Sequence, residues 1–107
     1  MKSIVVSMAV AGMVFSGSVF AAEMPELAIK MNCTACHTID EKLIGPTWQD
    51  VANKYKGDAG AAAALQVKIS KGGAGIWGKM PMPAIDAAGT KQGEIKELVN
   101  FILGLAN

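Results

Sequence analysis

Two thiols and an imidazole stand together in Cys33-Thr34-Ala35-Cys36-His37. The spacing C-x-x-C-H suits covalent attachment of a c-type haem. Each thiol adds across one porphyrin vinyl group to form a thioether, and the two intervening residues let a short turn span both vinyls. The imidazole of His37 then lies against the iron as its proximal ligand. Three other chemistries use a C-x-x-C pair: a redox dithiol, half of a zinc site and a plain disulfide. A redox dithiol wants a thioredoxin-like αβ chain, and no strongly apolar strand stands outside the N-terminal leader. Zinc wants further Cys or His ligands, yet the chain has 2 cysteines and 1 histidine, all inside the motif. A disulfide leaves His37 without a role.

An iron held by His37 has an opposite face that takes a ligand or stays open. The thioether of methionine is the soft donor that pairs with histidine on electron-transfer haems. Met24 and Met31 lie too close before Cys33 to reach around a porphyrin, and Met31 fits a helix core better. Met80-Pro81-Met82-Pro83 offers two more. The prolines fix φ and remove backbone donors, so the segment is stiff and extended. From the residues alone, Met80 and Met82 both stand as ligands, with gap-filling as the alternative use of each.

These groups need elements to position them. Pro25 to Met31 reads as a first helix, with Pro25 and Glu26 suited to its first turn and Leu27 and Met31 facing inward. It runs straight into Cys33. Gly45-Pro46 ends a loop, and Thr47 can cap a short helix to about Lys54 that buries Val51 and Trp48. Asp58 or Ala59 to Lys71 reads as a third helix with Leu65 and Ile69 four apart and Val67 beside them, stopped by Gly72-Gly73. Residues 72–89 are irregular, and so long a loop in so small a domain points to function or to wrapping around something. Thr90 then caps a last helix to about Leu105, with a stripe of Ile95, Leu98, Val99, Ile102 and Leu105. The fold class expected is all-α.

The N-terminus has the form of a secretory signal peptide. Lys2 precedes an apolar run from Ile4 to Phe15, and Val19-Phe20-Ala21 fits a small-residue cleavage site after Ala21 or Ala22. The domains are then residues 1–22, a cleaved leader, and residues 23–107, one domain. About 85 residues make a small core that usually needs a staple, which a tethered porphyrin would supply. Of 10 basic residues, all lysine, Lys2 leaves with the leader, so the mature chain is near neutral against 9 acids. That balance excludes a nucleic-acid footprint.

In combination the pieces resemble the small monohaem class I cytochromes c of bacterial periplasms, the cytochrome c-551 or c8 type. The match runs through Cys33-Thr34-Ala35-Cys36-His37, Ile44-Gly45-Pro46, Asp50-Val51-Ala52 and Gly75-Ile76-Trp77-Gly78, then Pro81-Met82-Pro83. The resemblance implies about four helices wrapped around one covalent haem c. It implies thioethers at Cys33 and Cys36, with His37 and Met82 as the iron ligands. It also implies that the Pro46 carbonyl holds the proximal imidazole and that the Trp77 indole contacts a haem propionate. The function implied is a monomeric periplasmic one-electron carrier, not an enzyme. Its redox partners would be a membrane respiratory complex as donor and an oxidase, nitrite reductase or peroxidase as acceptor. Lys42 and Lys79, near the haem-contacting segments, could steer acidic partners. The family commonly reads P-M-P-P-N where this chain has Pro81-Met82-Pro83-Ala84-Ile85, so an apolar side chain replaces an asparagine. A haem enzyme with an open distal side would want a distal histidine or arginine, and neither exists here. A haem-free periplasmic module would leave the motif idle.

Overall fold

Pro25 holds the extended backbone that precedes a helix, with φ −66° and ψ 146°, and α1 follows over Glu26–Lys30. The computed structural model describes residues 22–107. The leader expected over residues 1–22 lies outside the described residues except for Ala22. On α1 the fully covered side chain is Ala28, with Met31 buried just beyond the helix and Leu27 half-buried. Asn32 then turns left-handed at φ 60° and starts a single 3-10 turn, Cys33–Ala35. A short polar side chain tolerates that conformation better than most.

Helix α2 spans Trp48–Lys54, and the Thr47 hydroxyl accepts the Asp50 N–H at 3.0 Å, as the capping pattern predicts. Helix α3 spans Ala61–Lys71. It begins later than expected, because the Asp58 carboxylate accepts the Gly60 N–H at 2.8 Å and ties residues 58–60 into a turn instead. Leu65 and Ile69 are buried, whereas Val67 faces solvent.

Helix α4 spans Gln92–Leu103 and is not capped by Thr90. The Asp86 carboxylate takes over that role, accepting the Thr90 N–H at 2.8 Å and the Lys91 N–H at 2.9 Å. The helix also stops at Leu103, so Leu105 sits beyond its end and is only half-buried. The rest of the stripe, Ile95, Leu98, Val99 and Ile102, is buried. Helix α4 packs on α3, on α2 and on α1, so its apolar face is the hub of the core. Each such aliphatic side chain contributes about 1.5–3 kcal/mol on burial. Trp48 meets Phe101 edge-to-face at 5.9 Å and closes α2 against α4.

Among the described residues there is no strand, only one antiparallel bridge between Gly73 and Met82. The fold is all-α, as expected, and its long irregular segment joins α3 to α4.

Candidate haem site

The left-handed turn at Asn32 starts the local geometry. The Cys36 and His37 amides both donate to the Cys33 carbonyl, at 3.2 and 2.9 Å, so the motif is wound into one tight turn. Cys33, Cys36 and His37 thereby all line one cleft. Cys33 is buried and Cys36 half-buried. Burial pushes the Cys33 thiol up, against a smaller downward pull from a backbone hydrogen bond.

His37 is held from two sides. Its Nδ1–H donates to the Pro46 carbonyl at 2.8 Å. A carbonyl only accepts, so Nδ1 carries the proton, and in the neutral ring Nε2 keeps the lone pair that a metal would take. A Cβ at residue 45 would stand 2.5 Å from His37 Cε1, so Gly45 is needed for the chain to pass across the ring. The Gly45 amide in turn donates to the Cys36 carbonyl at 2.8 Å, tying this crossing back to the motif. Trp48 backs the ring at 6.2 Å between centroids.

The second contribution comes from the irregular segment. Gly73 and Met82 exchange both backbone hydrogen bonds at 2.9 Å, closing residues 73–82 into a loop. Gly72, at φ +71°, lies so close to Met82 that a Cβ there would collide with the Met82 carbonyl oxygen and stand 2.8 Å from the Ala84 nitrogen. Met80 and Met82 both line the cleft. They differ in burial: Met82 packs against the core, while Met80 is 68% exposed. Trp77 also lines the cleft and is 41% exposed, and Lys54 Nζ lies 5.6 Å from its ring centroid, a cation–π contact from the end of α2. The structure thus brings all six residues singled out from the sequence, Cys33, Cys36, His37, Pro46, Trp77 and Met82, to one place. The roles of Gly45, Gly72 and Lys54 carry no local signal. The two glycines serve through close approach, which only the folded chain reveals.

The cleft encloses about 960 Å3 counting its open mouth. Its lining is mostly apolar, with Val51, Leu65, Ile69, Leu98 and Ile102 supplying the deep wall. Among the described residues no cluster of three or more His, Cys, Asp or Glu could cage a bare metal ion. A donor set of two thiols, one oriented imidazole and thioethers around an apolar slot fits a porphyrin with its own iron.

The sequence model of the cytochrome c family matches residues 21–106. Cytochrome c-551 of Allochromatium vinosum is 47% identical over 79 residues, covering 74% of this chain and 82% of that protein. Cytochrome c-552 of Hydrogenobacter thermophilus is 41% identical over 90 residues, 84% of this chain and 87% of the relative. Among solved structures, wild-type Nitrosomonas europaea cytochrome c552 superposes with a TM-score of 0.68 at 40% identity, covering 74% of this chain and 95% of that one. Motif, cleft and relatives agree: the chain belongs to the cytochrome c family, as a small c-type cytochrome that holds haem c covalently and carries electrons rather than catalysing a reaction.

Proposed function

We propose that this cytochrome is a periplasmic one-electron shuttle, with haem c joined through Cys33 and Cys36 and its iron held between His37 and Met82. One observation carries the reading: two segments far apart in sequence converge on a single cleft, one bringing two thiols and an anchored imidazole, the other a loop-held thioether. When bound, haem c supplies the Fe(III)/Fe(II) couple. Pro46 orients His37 so that Nε2 meets the metal, and Met82 offers a soft sulfur that favours the lower charge state. The apolar wall keeps water away, which also raises the potential. With His37 and Met82 both holding the iron, oxygen and peroxide would find no open site, and the protein would pass the electron alone. His37, fixed by Pro46, and Met82, held by the bridge to Gly73, would not have to move between redox states, so reorganisation would be small.

Residues 1–22 serve as the export leader in this reading, and no helix of the described residues is long and apolar enough to cross a membrane. The Trp77 indole, at the rim of the cleft, takes a propionate. Lys42 and Lys79 are exposed and stand near the cleft-lining Ile44 and Met80 in sequence, where they would steer an acidic partner into a small transient contact. The partners proposed are a respiratory complex as donor and an oxidase, nitrite reductase or peroxidase as acceptor.

The test is Met82→Leu in the purified holoprotein. The oxidised wild type should show the sulfur-to-iron charge-transfer band, and the variant should lose it and fall in potential. A variant spectrum identical to wild type overturns Met82 as the ligand, whereas loss of the band in Met80→Leu instead would move the assignment to Met80.

A further inference from the structure

The segment that follows Met82 ends in a carboxylate with an unusual set of partners. Asp86 is 5% exposed, the only nearly covered acid among the described residues. One oxygen accepts the Thr90 N–H at 2.8 Å and the Thr90 hydroxyl at 3.4 Å. The other accepts the Lys91 N–H at 2.9 Å and the Gln92 side-chain amide at 2.7 Å. The network continues, because the same Gln92 amide donates to the Ser70 hydroxyl at 2.8 Å, and that hydroxyl donates to the Gln66 carbonyl at 2.6 Å. Gln66 closes the circuit by donating to the Gln92 carbonyl at 2.8 Å. Two main-chain bonds complete the attachment: Ile85 N–H to the Ile69 carbonyl and Asp86 N–H to the Ser70 carbonyl, both 3.1 Å.

We propose that Asp86 is the positioning residue for Met82, a latch that fastens the descending limb of the ligand loop to α3 and α4. The inference rests on the Met82 ligation proposed above and goes beyond it. Its logic is one of anchoring. On its ascending side, Met82 is held by the two-bond bridge to Gly73, two residues past the end of α3. On its descending side, Pro83 has no amide hydrogen to give, and Ile85 has no polar side chain. The first side chain after Met82 that can grip the rest of the fold by hydrogen bonding is therefore Asp86. It spans the start of α4 and, through Gln92 and Ser70, the last turn of α3. A thioether four residues upstream is thus strung between two fixed points. Hydrogen bonds to a charged group are also worth roughly twice neutral ones, so one residue can carry the anchor.

The test measures how often Met82 lets go. Imidazole added to the oxidised holoprotein can bind the iron only while the thioether is away, so its binding rate reports loop opening. Asp86→Asn keeps the shape but turns one acceptor into a donor, and should speed imidazole binding about tenfold. Asp58→Asn is the control, since Asp58 ties down the turn before α3, away from Met82 in sequence, and should leave the rate unchanged whatever it does to stability. If Asp86→Asn fails to fold, Gln92→Ala removes one donor from an exposed position and should give a smaller acceleration of about threefold. An unchanged rate in the folded variant, or an equal acceleration in Asp58→Asn, overturns the latch. A Met82→Leu holoprotein that keeps the sulfur-to-iron band overturns the Met82 reading itself and the latch with it, and so separates the two failures.

Discussion

At residue 45 even a methyl group is too much. The Cβ of Gly45→Ala would press on the His37 ring, which the Pro46 carbonyl already fixes through Nδ1. Either that hydrogen bond or the chain crossing must yield, and overpacking of this kind costs about 1–3 kcal/mol. The expected outcome is a lower guanidinium midpoint of the holoprotein with the haem still attached, read by haem mass and by unfolding. The attachment motif was legible in the sequence because bond-forming chemistry demands fixed residue types at fixed spacing. The grip on His37 was not legible from the residues alone. It joins residues nine apart through a carbonyl that any amino acid possesses, and only likeness to a family pointed to it.

Among the elements, α2 and α4 show where local reading succeeds and where it stops. Thr47 caps α2 through a bond to the residue three ahead, which is pattern enough to foresee. Thr47→Ala should therefore cost about 1 kcal/mol in thermal or denaturant unfolding. Thr90 stands one residue farther out from α4, whose N-cap position is Lys91, and does not cap it. The acceptor comes from Asp86, four residues before Thr90, whose own backbone is bonded to the last turn of α3. Thr90→Ala, which loses only a 3.4 Å contact, should stay within about 0.5 kcal/mol of wild type. Burial by itself raises the Asp86 carboxyl, but hydrogen bonds from the Gln92 side chain, the Lys91 and Thr90 amides and the Thr90 hydroxyl outweigh it and hold the group below the ordinary carboxylate range. A lowered pKa in the fold makes the ionised latch stabilising above the unfolded value, about 3.9, and the contribution is lost as pH falls through the folded value. The stability gap between wild type and Asp86→Asn should therefore be full at neutral pH and close in acid, as urea midpoints across pH will show.

Over the whole molecule, core and cleft are one surface. Leu65, Ile69, Leu98 and Ile102 are core residues and also line the cleft, so a porphyrin held there would complete the core instead of sitting beside it. Periodicity revealed these residues as buried, but it could not say that some of them face a cofactor and not another helix. A Cys33→Ser/Cys36→Ser chain produced without haem should lose its sharp near-ultraviolet dichroism and its cooperative melt, while keeping part of its helix signal. A cooperative, native-like melt of that chain would show that the helices suffice.

The bridge between Gly73 and Met82 has a consequence of another kind. Inside it, the Gly75 amide donates to the Gly78 carbonyl at 3.0 Å, so the strip that includes Ile76 and Trp77 forms a closed excursion with its base clamped and its tip in solvent. A change at Ile76, which is exposed and does not line the cleft, is separated from the sulfur at the base by that clamp. Recognition of a new partner can then be written into positions 76 and 79, which do not line the cleft, while Trp77 and the proposed ligand Met82 stay as they were.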